Sequence, residues 1–510
     1  MDRVELRALD AERATVKFSA ARLLVLLFCI LYVPQAAHAH VGSKDVFETV
    51  DAGTYKLYVT IRMPTVIPGV ATVEVRSSGA NASAINITPM PITGEASKHP
   101  PTSDPMVRSS ADRDFFTGSL WLMASGSWEV RFQIAGDGGE QTTSVPVPAV
   151  ALSTLKMQRG LGITLAILGL FLVISMAGIV AAAVRDARLE PGAIAPPNRR
   201  RRAVFATLGS LVFMALFLWG GAKWWNVEAA SYSLDVYRPL KVQPVLSGNV
   251  LDLNVRAFHP NSERRGRSNN DFLPDHGHLM HLYAIRWPEM DAVFHLHPEL
   301  ADVGDFRIAL PAMPPGDYAL YGDVVHANGF PETLVSRVTV PANMAGGALG
   351  QDDAAASPQP LSGGQLGNTC KLPDGYTMVW DRPSILTANS AYSFRFQLLD
   401  ASGKPAQDMQ PYMGMAGHAA FVKTDGTAFA HTHPEGSAAM AALMLANGGS
   451  GSDQTAHSGM SMEMGQHSEP ISSTVEFPYG FPSSGRYRIF IQMKRGETIE
   501  TGVFDTLVSP

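Results

Sequence analysis

The sequence predicts a mainly β protein: three antiparallel β-sandwich (Ig-like) domains, with two transmembrane α-helices between the first and the second. Three observations carry this expectation. Short stretches of alternating apolar and polar residues, punctuated by Pro and Gly, recur through most of the chain. Two uncharged apolar runs lie close together at residues 160–184 and 203–222, each long enough to cross about 30 Å of hydrocarbon. Beyond them one pattern occurs twice. At 510 residues there is room for several domains, and 17% charged against 46% hydrophobic residues is too apolar a balance for a simple soluble chain. The formal net charge of −6 argues against nucleic acid as a partner.

The first element, residues 1–39, reads as an export signal. Lys17 and Arg22 lead into the apolar run 23–33, which is short for a bilayer span, and Ala37-His38-Ala39 offers a small-x-small cleavage site. Cleavage after Ala39 would leave His40 as the first residue, and its free amine and imidazole could chelate copper together, as in CopC-like periplasmic proteins. The bland alternative is a leader that ends beside a histidine by chance. Cys29 lies in the leader and Cys370 is the one other cysteine, so the mature chain has no internal disulfide.

Residues 40–150 carry strand patterns at 55–61, 71–76, 119–123 and 128–134, separated by Pro and Gly, as in an antiparallel sandwich. Pro64 and Pro68-Gly69 follow an opening strand, and Gly118 to Trp121 and Gly126 to Val130 come near the end. On these residues, about a fifth of the chain, the region resembles the YtkA/FixH-like family of exported or membrane-anchored β-sandwich domains. The resemblance implies an association with metal handling or respiratory-complex assembly.

Between the two spans lie Arg185, Arg188 and the run Arg199, Arg200, Arg201 and Arg202, so residues 185–202 are expected on the cytoplasmic side and both flanking regions outside. This places the protein in a bacterial inner (plasma) membrane with its domains on the periplasmic side. Neither span contains an ionisable residue, which suits an anchor better than a transport path.

The remainder reads as two related sandwiches, residues 226–341 and 370–510, joined by a Gly/Ala/Ser/Gln-rich flexible linker at 342–369. Tyr232 to Val236 parallels Tyr376 to Trp380, and Leu310-Pro311 to Tyr318 parallels Phe477-Pro478 to Tyr487. The second copy carries an insertion at 436–469.

Each copy holds a three-histidine hairpin. The first runs from His281 through a turn at Pro288 to Met290 to His295 and His297; the second runs from His418 through Asp425-Gly426 to His431 and His433. Asp-Gly between strand-like runs is a strong hairpin signal and pairs His418 with His433, while the three-residue loop pairs His281 with His297. Alternation along a strand then puts His295 and His431 on the faces of their partners. Imidazoles opposed at about 5 Å can close on one transition-metal ion, so a separate three-histidine site is expected in each copy. The structural alternative is histidines that merely finish hairpins and bond loop carbonyls.

Aligning the copies places His276 and His278 opposite Met413 and Met415. Imidazoles suit Cu(II), Zn and Ni, whereas thioethers select Cu(I), so the second site is expected to prefer the reduced ion. An odd offset from the shared histidine brings these residues into the site only if Gly277 or Gly417 marks a bulge or loop entry. Within the insertion, Met460, Met462 and Met464 alternate between His457 and His467 in a polar loop with no core to fill. Such Met/His-rich tracts are similar to those of bacterial copper-resistance proteins. His326 is a lesser candidate, as a satisfied polar side chain.

These features point to a membrane-anchored, extracytoplasmic metal-binding protein, with copper first and zinc as the alternative, that handles copper or delivers it to an envelope partner. A second reading is a structural or interaction protein of the envelope without bound metal, of the respiratory-complex assembly type. A third is a metal-dependent enzyme, but no catalytic constellation supports it. The aspartate that follows a His-x-His-Pro in JAMM-type zinc hydrolases is missing from both copies, and no nucleophile elbow or phosphate loop stands in a suitable setting.

Overall fold

The computed structural model describes residues 45–187, 189–190, 192–256, 267–361, 367–448 and 471–510. The leader with His40, and the segment with Met460, Met462 and Met464, lie outside these residues.

The first sandwich pairs Val46–Ala52, Tyr55–Arg62, Gly69–Gly79, Phe115–Leu122 and Val107–Arg108 in one sheet, and Asp104–Pro105, Ala82–Pro91, Gly126–Gly136 and Gln141–Ala149 in the other. Alternation builds its core. Tyr55, Leu57, Val59 and Ile61 point inward against Phe132 and Val147, while Lys56 and Tyr58 point to solvent.

Helices Arg159–Asp186 and Pro197–Ser233 follow. Both are long and apolar enough to cross a membrane. Their Leu, Ile, Phe and Trp side chains face outward all round, which suits lipid because each helix satisfies its own backbone polar groups. The chain is membrane-associated on this ground. The second helix differs from the expected span. It starts at Pro197, a residue whose fixed φ and missing N–H fit a first helical turn, so Arg199 to Arg202 are helical and not part of a loop. It also runs on to Ser233, so Tyr232 to Val236 closes a helix and is not the counterpart of the strand Thr377–Asp381.

The two C-terminal sandwiches share the strand order of their histidine-bearing sheets. In the first, Lys241–Ser247, Val250–Arg256, Asp305–Ala309 and Glu299–Asp302 oppose a sheet of Phe272–Leu273, Gly316–His326, His281–Arg286 and Val293–Leu296, with Pro331–Val340 also on Gly316–His326. In the second, Thr369–Lys371, Thr377–Asp381, Tyr392–Leu399 and Thr474–Tyr479 oppose Met409–Gln410, Gly485–Arg495, His418–Lys423 and Phe429–Thr432, with Thr498–Val508 on Gly485–Arg495. The mainly β, Ig-like architecture with two intervening helices is thus present.

The histidine hairpins are buried on both faces. Leu282, Ala284 and Leu296 enter the core of their own sandwich, and Ala419 and Phe421 do the same in theirs. The alternate residues Tyr283, Ile285 and Val293 meet Ala420, Val422, Phe429 and Phe490 in a separate apolar cluster between the sandwiches. Tyr321 stacks on Phe429 there, with ring centroids 4.3 Å apart and planes 2° from parallel. Each such side chain withdrawn from water contributes roughly 1.5–3 kcal/mol, so this seam holds the two hairpins face to face.

The stretch 342–369, expected as a flexible linker, contains a strand instead. Ala354–Ala356 pairs with Val293–Leu296, with Ala354 opposite His295.

Candidate metal centre

Both hairpins have the register that the turns imply. Leu282 pairs with Leu296 and Tyr283 with His295, while Ala419 pairs with Thr432 and Ala420 with His431. One more step along each ladder sets His281 against His297 and His418 against His433. Because the apolar seam brings the two hairpins together, their histidines do not form two separate triplets. They merge into one buried cluster.

Two groups with converging ligand atoms stand out among the described residues. His281, His295 and His297 form one; His276, His418 and His433 form the other; in each, the ligand atoms lie within 4.8 Å of one another. The first group is the expected triplet. The second is a correction, because His276 of the first repeat replaces His431 beside His418 and His433. His276 arrives there through a turn. Asp275 and His278 bond each other across His276 and Gly277, whose φ values of 51° and 85° are those of a two-residue type I′ hairpin. The glycine supplies the second positive φ at no steric cost, and the turn swings His276 across the seam.

Met413 and Gly414 form the same turn in the second repeat, with φ values of 51° and 83°, and Met415 follows buried behind them. Gly414, not Gly417, is therefore the turn glycine. Gly417 serves a close approach, since a Cβ there would meet the carbonyl oxygen of Gln492 at 2.5 Å.

His431 and His278 bridge and flank the two groups. The His431 ring centroid lies 5.5 Å from that of His281, 5.4 Å from that of His418 and 4.8 Å from that of His433. His278 stacks on His297 at 4.0 Å. With the six residues already named, eight imidazoles share the seam.

Outer partners fix how the rings face. His281 Nε2 donates to the Asp275 carbonyl at 2.9 Å, and His295 Nδ1 donates to Gln492 Oε1 at 2.9 Å. Both acceptors are oxygens without a proton, and Tyr283 donates to the same Gln492 oxygen, which supports its orientation. The protons therefore sit outward. His281 Nδ1 and His295 Nε2 then face each other at 3.2 Å as two lone pairs. His297 Nδ1 donates to Asp353 Oδ1 at 3.0 Å, and His431 Nδ1 lies 3.3 Å from Asp323 Oδ2. Their Nε2 atoms, like His276 Nε2 and both ring nitrogens of His418, are buried with no hydrogen-bond partner among the described residues.

A pseudo-twofold relation runs through these contacts. Asp323 pairs with His281 and Gln492 pairs with His418 at equivalent places in the long neighbouring strands. Each crosses the seam: Gln492 holds His295 of the first repeat, and Asp323 holds His431 of the second.

Burial pushes His281, His295, His418 and His433 well below the ordinary histidine range, and neighbouring imidazoles push in the same direction. Burial also lowers His297, although Asp353 opposes it. Burial alone would raise Asp353, yet hydrogen bonds from His297 and from the Gly350 N–H bring its carboxyl below the usual range. The rings are thus neutral at physiological pH, the state in which imidazole binds metal.

Sequence reasoning missed Asp353, Asp352, Gln492 and Tyr412. Asp352 and Asp353 form the acidic pair of an otherwise Gly/Ala-rich stretch, which was the available signal. His278 Nε2 lies 3.3 Å from Asp352 Oδ2, and Tyr412 donates to the Asp352 carbonyl at 2.8 Å. His326 stands apart from the cluster, with Nδ1 on Asp271 at 2.7 Å and Nε2 on Glu332 at 2.9 Å.

The first sandwich braces the second group. His433 N–H bonds the Gly436 carbonyl, and the Glu435 to Ser437 segment pairs with the edge of Val46–Ala52 through Thr49 and Phe47. Gly436 is required there, at φ 153°, because a Cβ would meet the Phe47 carbonyl oxygen at 2.2 Å.

Residues 371–509 match a family described as a domain of unknown function, DUF8832. No curated protein matches the chain. Among solved structures, latent PorU from Porphyromonas gingivalis is similar at 7% identity and a TM-score of 0.14, over 91% of this chain and 34% of that one. A putative membrane anchored protein from Corynebacterium diphtheriae is similar at 8% identity and a TM-score of 0.15, over 91% of this chain and 96% of that one. A Salmonella alpha-2-macroglobulin mutant is similar at 7% identity and a TM-score of 0.19, over 93% of this chain and 24% of that one. The chain therefore spans about a third of PorU and a quarter of the macroglobulin. Likeness at this level carries no argument about function.

Proposed function

We propose that this protein binds a transition metal, copper first and zinc second, in the seam between its two C-terminal sandwiches, and that it handles or delivers that metal outside the cytoplasm. The observation that carries the reading is the pair His281 Nδ1 and His295 Nε2. Their protons are committed outward to Asp275 and Gln492, yet the bare nitrogens stand 3.2 Å apart in a buried site. Two lone pairs at that distance repel unless a cation sits between them. Tetrahedral ligands on bonds of about 2.0–2.1 Å are separated by about 3.3–3.4 Å, so the spacing matches the edge of a coordination shell. Carboxylates and carbonyls behind the rings are the usual outer partners of metal-bound histidine. All-imidazole donors favour Cu(II) and Zn(II); the Met413 and Met415 thioethers and the methionines at 460, 462 and 464 add the softer ligands that would suit Cu(I).

The placement outside the cytoplasm rests on the arginines at the facing ends of the two helices and on the leader. A reporter fused at Pro510 should be active only in the extracytoplasmic compartment, and cytoplasmic activity would overturn the periplasmic copper reading. The metal reading is tested by competing the purified full chain against chelators of known copper and zinc affinity. Tight binding that falls at least tenfold in His281→Ala and His295→Ala supports it. A chain that binds neither ion would instead support the structural reading, in which the domains dock on an envelope partner.

A further inference from the structure

The seam holds more imidazoles than one ion can use. A single tetrahedral ion takes four ligands, and eight rings are gathered here. The two converging groups share no residue. Each contributes three donors and leaves at least one coordination position open. Building on the metal reading above, we propose that the seam is a two-ion centre, with one transition-metal ion on His281, His295 and His297, a second on His276, His418 and His433, and His431 lying between them.

The groups are neighbours. The ring of His281 lies 6.1 Å from that of His276 and 6.4 Å from that of His418, and His295 lies 6.1 Å from His418. His431 contacts members of both groups, at 5.4 Å from His295 and 4.8 Å from His433, with Nε2 buried and unpartnered among the described residues while Asp323 holds Nδ1. A nitrogen so placed can fill the open position of either ion.

Three carboxylates stand behind the rings: Asp323 on His431, Asp352 on His278 and Asp353 on His297. The second group also draws ligands from both repeats, so neither repeat could build the pair alone.

The test is titration of the detergent-solubilised full chain with Cu(II), an ion that keeps thioethers out of the count, followed by metal analysis and electron paramagnetic resonance. Two ions per chain are expected, with the signal rising to one equivalent and then broadening or losing intensity as the second ion couples to the first. His276→Ala should reduce the stoichiometry from two to one and restore an uncoupled signal, while the protein remains folded by circular dichroism. Saturation at one ion would overturn the two-ion centre and leave the metal reading standing. Two ions with a full, unbroadened signal would overturn it as well, by showing isolated sites. Failure to bind any ion would remove both readings together.

Discussion

His281 Nδ1 and His295 Nε2 face each other across 3.2 Å, with the Asp275 carbonyl and Gln492 Oε1 at the far nitrogens of the two rings, each at 2.9 Å. The two residues come from the two strands of one hairpin. Their orientation, however, depends on the other sandwich, which supplies Gln492. The seam between the repeats is therefore what builds the site.

Asp353 is expected to matter although it would not touch the metal. It fixes both the ring and the backbone N–H of His297. Outer partners of metal-bound histidine typically account for 10–100-fold in affinity, so Asp353→Asn should weaken metal binding by roughly that factor. Chelator competition measures it, and unchanged affinity would mean that His297 is not a ligand.

The crossing of His276 makes a second prediction. If the second group is His276, His418 and His433, then His276→Ala should weaken that site about as much as His418→Ala. If each repeat instead kept its own triplet, His276→Ala would be silent and His431→Ala costly. Metal titration of the three variants separates the two outcomes.

The seam itself can be loosened away from the histidines. Arg488 is fully buried, pairs with Asp505 through two nitrogens, and donates across the seam to the Met290 carbonyl at 2.7 Å. Arg488→Leu leaves the buried Asp505 carboxylate with Arg486 Nη2 at 3.2 Å in place of three guanidinium contacts and should cost at most about 3–5 kcal/mol, whereas adding Asp505→Leu should recover part of the loss. Denaturant titration of both variants checks this; equal stability of single and double variants would contradict it.

His326 supplies a pH dependence of stability. Burial alone would lower it, but the carboxylates of Asp271 and Glu332 on its two nitrogens outweigh burial and raise it above its ordinary value. A group raised in the folded state contributes stability that is fully present below its unfolded pKa of about 6.5 and is lost as pH rises through the folded pKa. Thermal unfolding should therefore show a decline on the alkaline side that His326→Gln abolishes. An identical slope in the variant would contradict the assignment.

Much of this was legible locally. Asp425-Gly426 and the Pro288 to Met290 loop set the hairpin registers, and strict alternation then put all three histidines of each hairpin on one face. What local pattern does not encode is which surface that face meets. His281 to Ile285 and His418 to Val422 are apolar at nearly every position, and such two-sided burial is the mark of a strand covered on both faces. That signal was available, and it accounts for the merging of two expected sites into one. The role of His276 was not legible in the same way. Its crossing requires both the type I′ turn at Gly277 and the docking of the two repeats, and the second is a tertiary fact. Asp352 and Asp353 were hidden because a stretch rich in Gly and Ala reads as linker until Ala354–Ala356 is seen paired beside His295.

The most direct measurement is X-ray absorption of the full chain carrying one equivalent of Cu(II). A first shell of three or more imidazole nitrogens at about 2.0 Å with the outer-ring scattering of histidine is expected, and loss of that shell in a His281→Ala/His295→Ala/His418→Ala variant that still folds. A shell made of oxygen or sulfur, or one that survives the triple substitution, would contradict a metal centre in the seam.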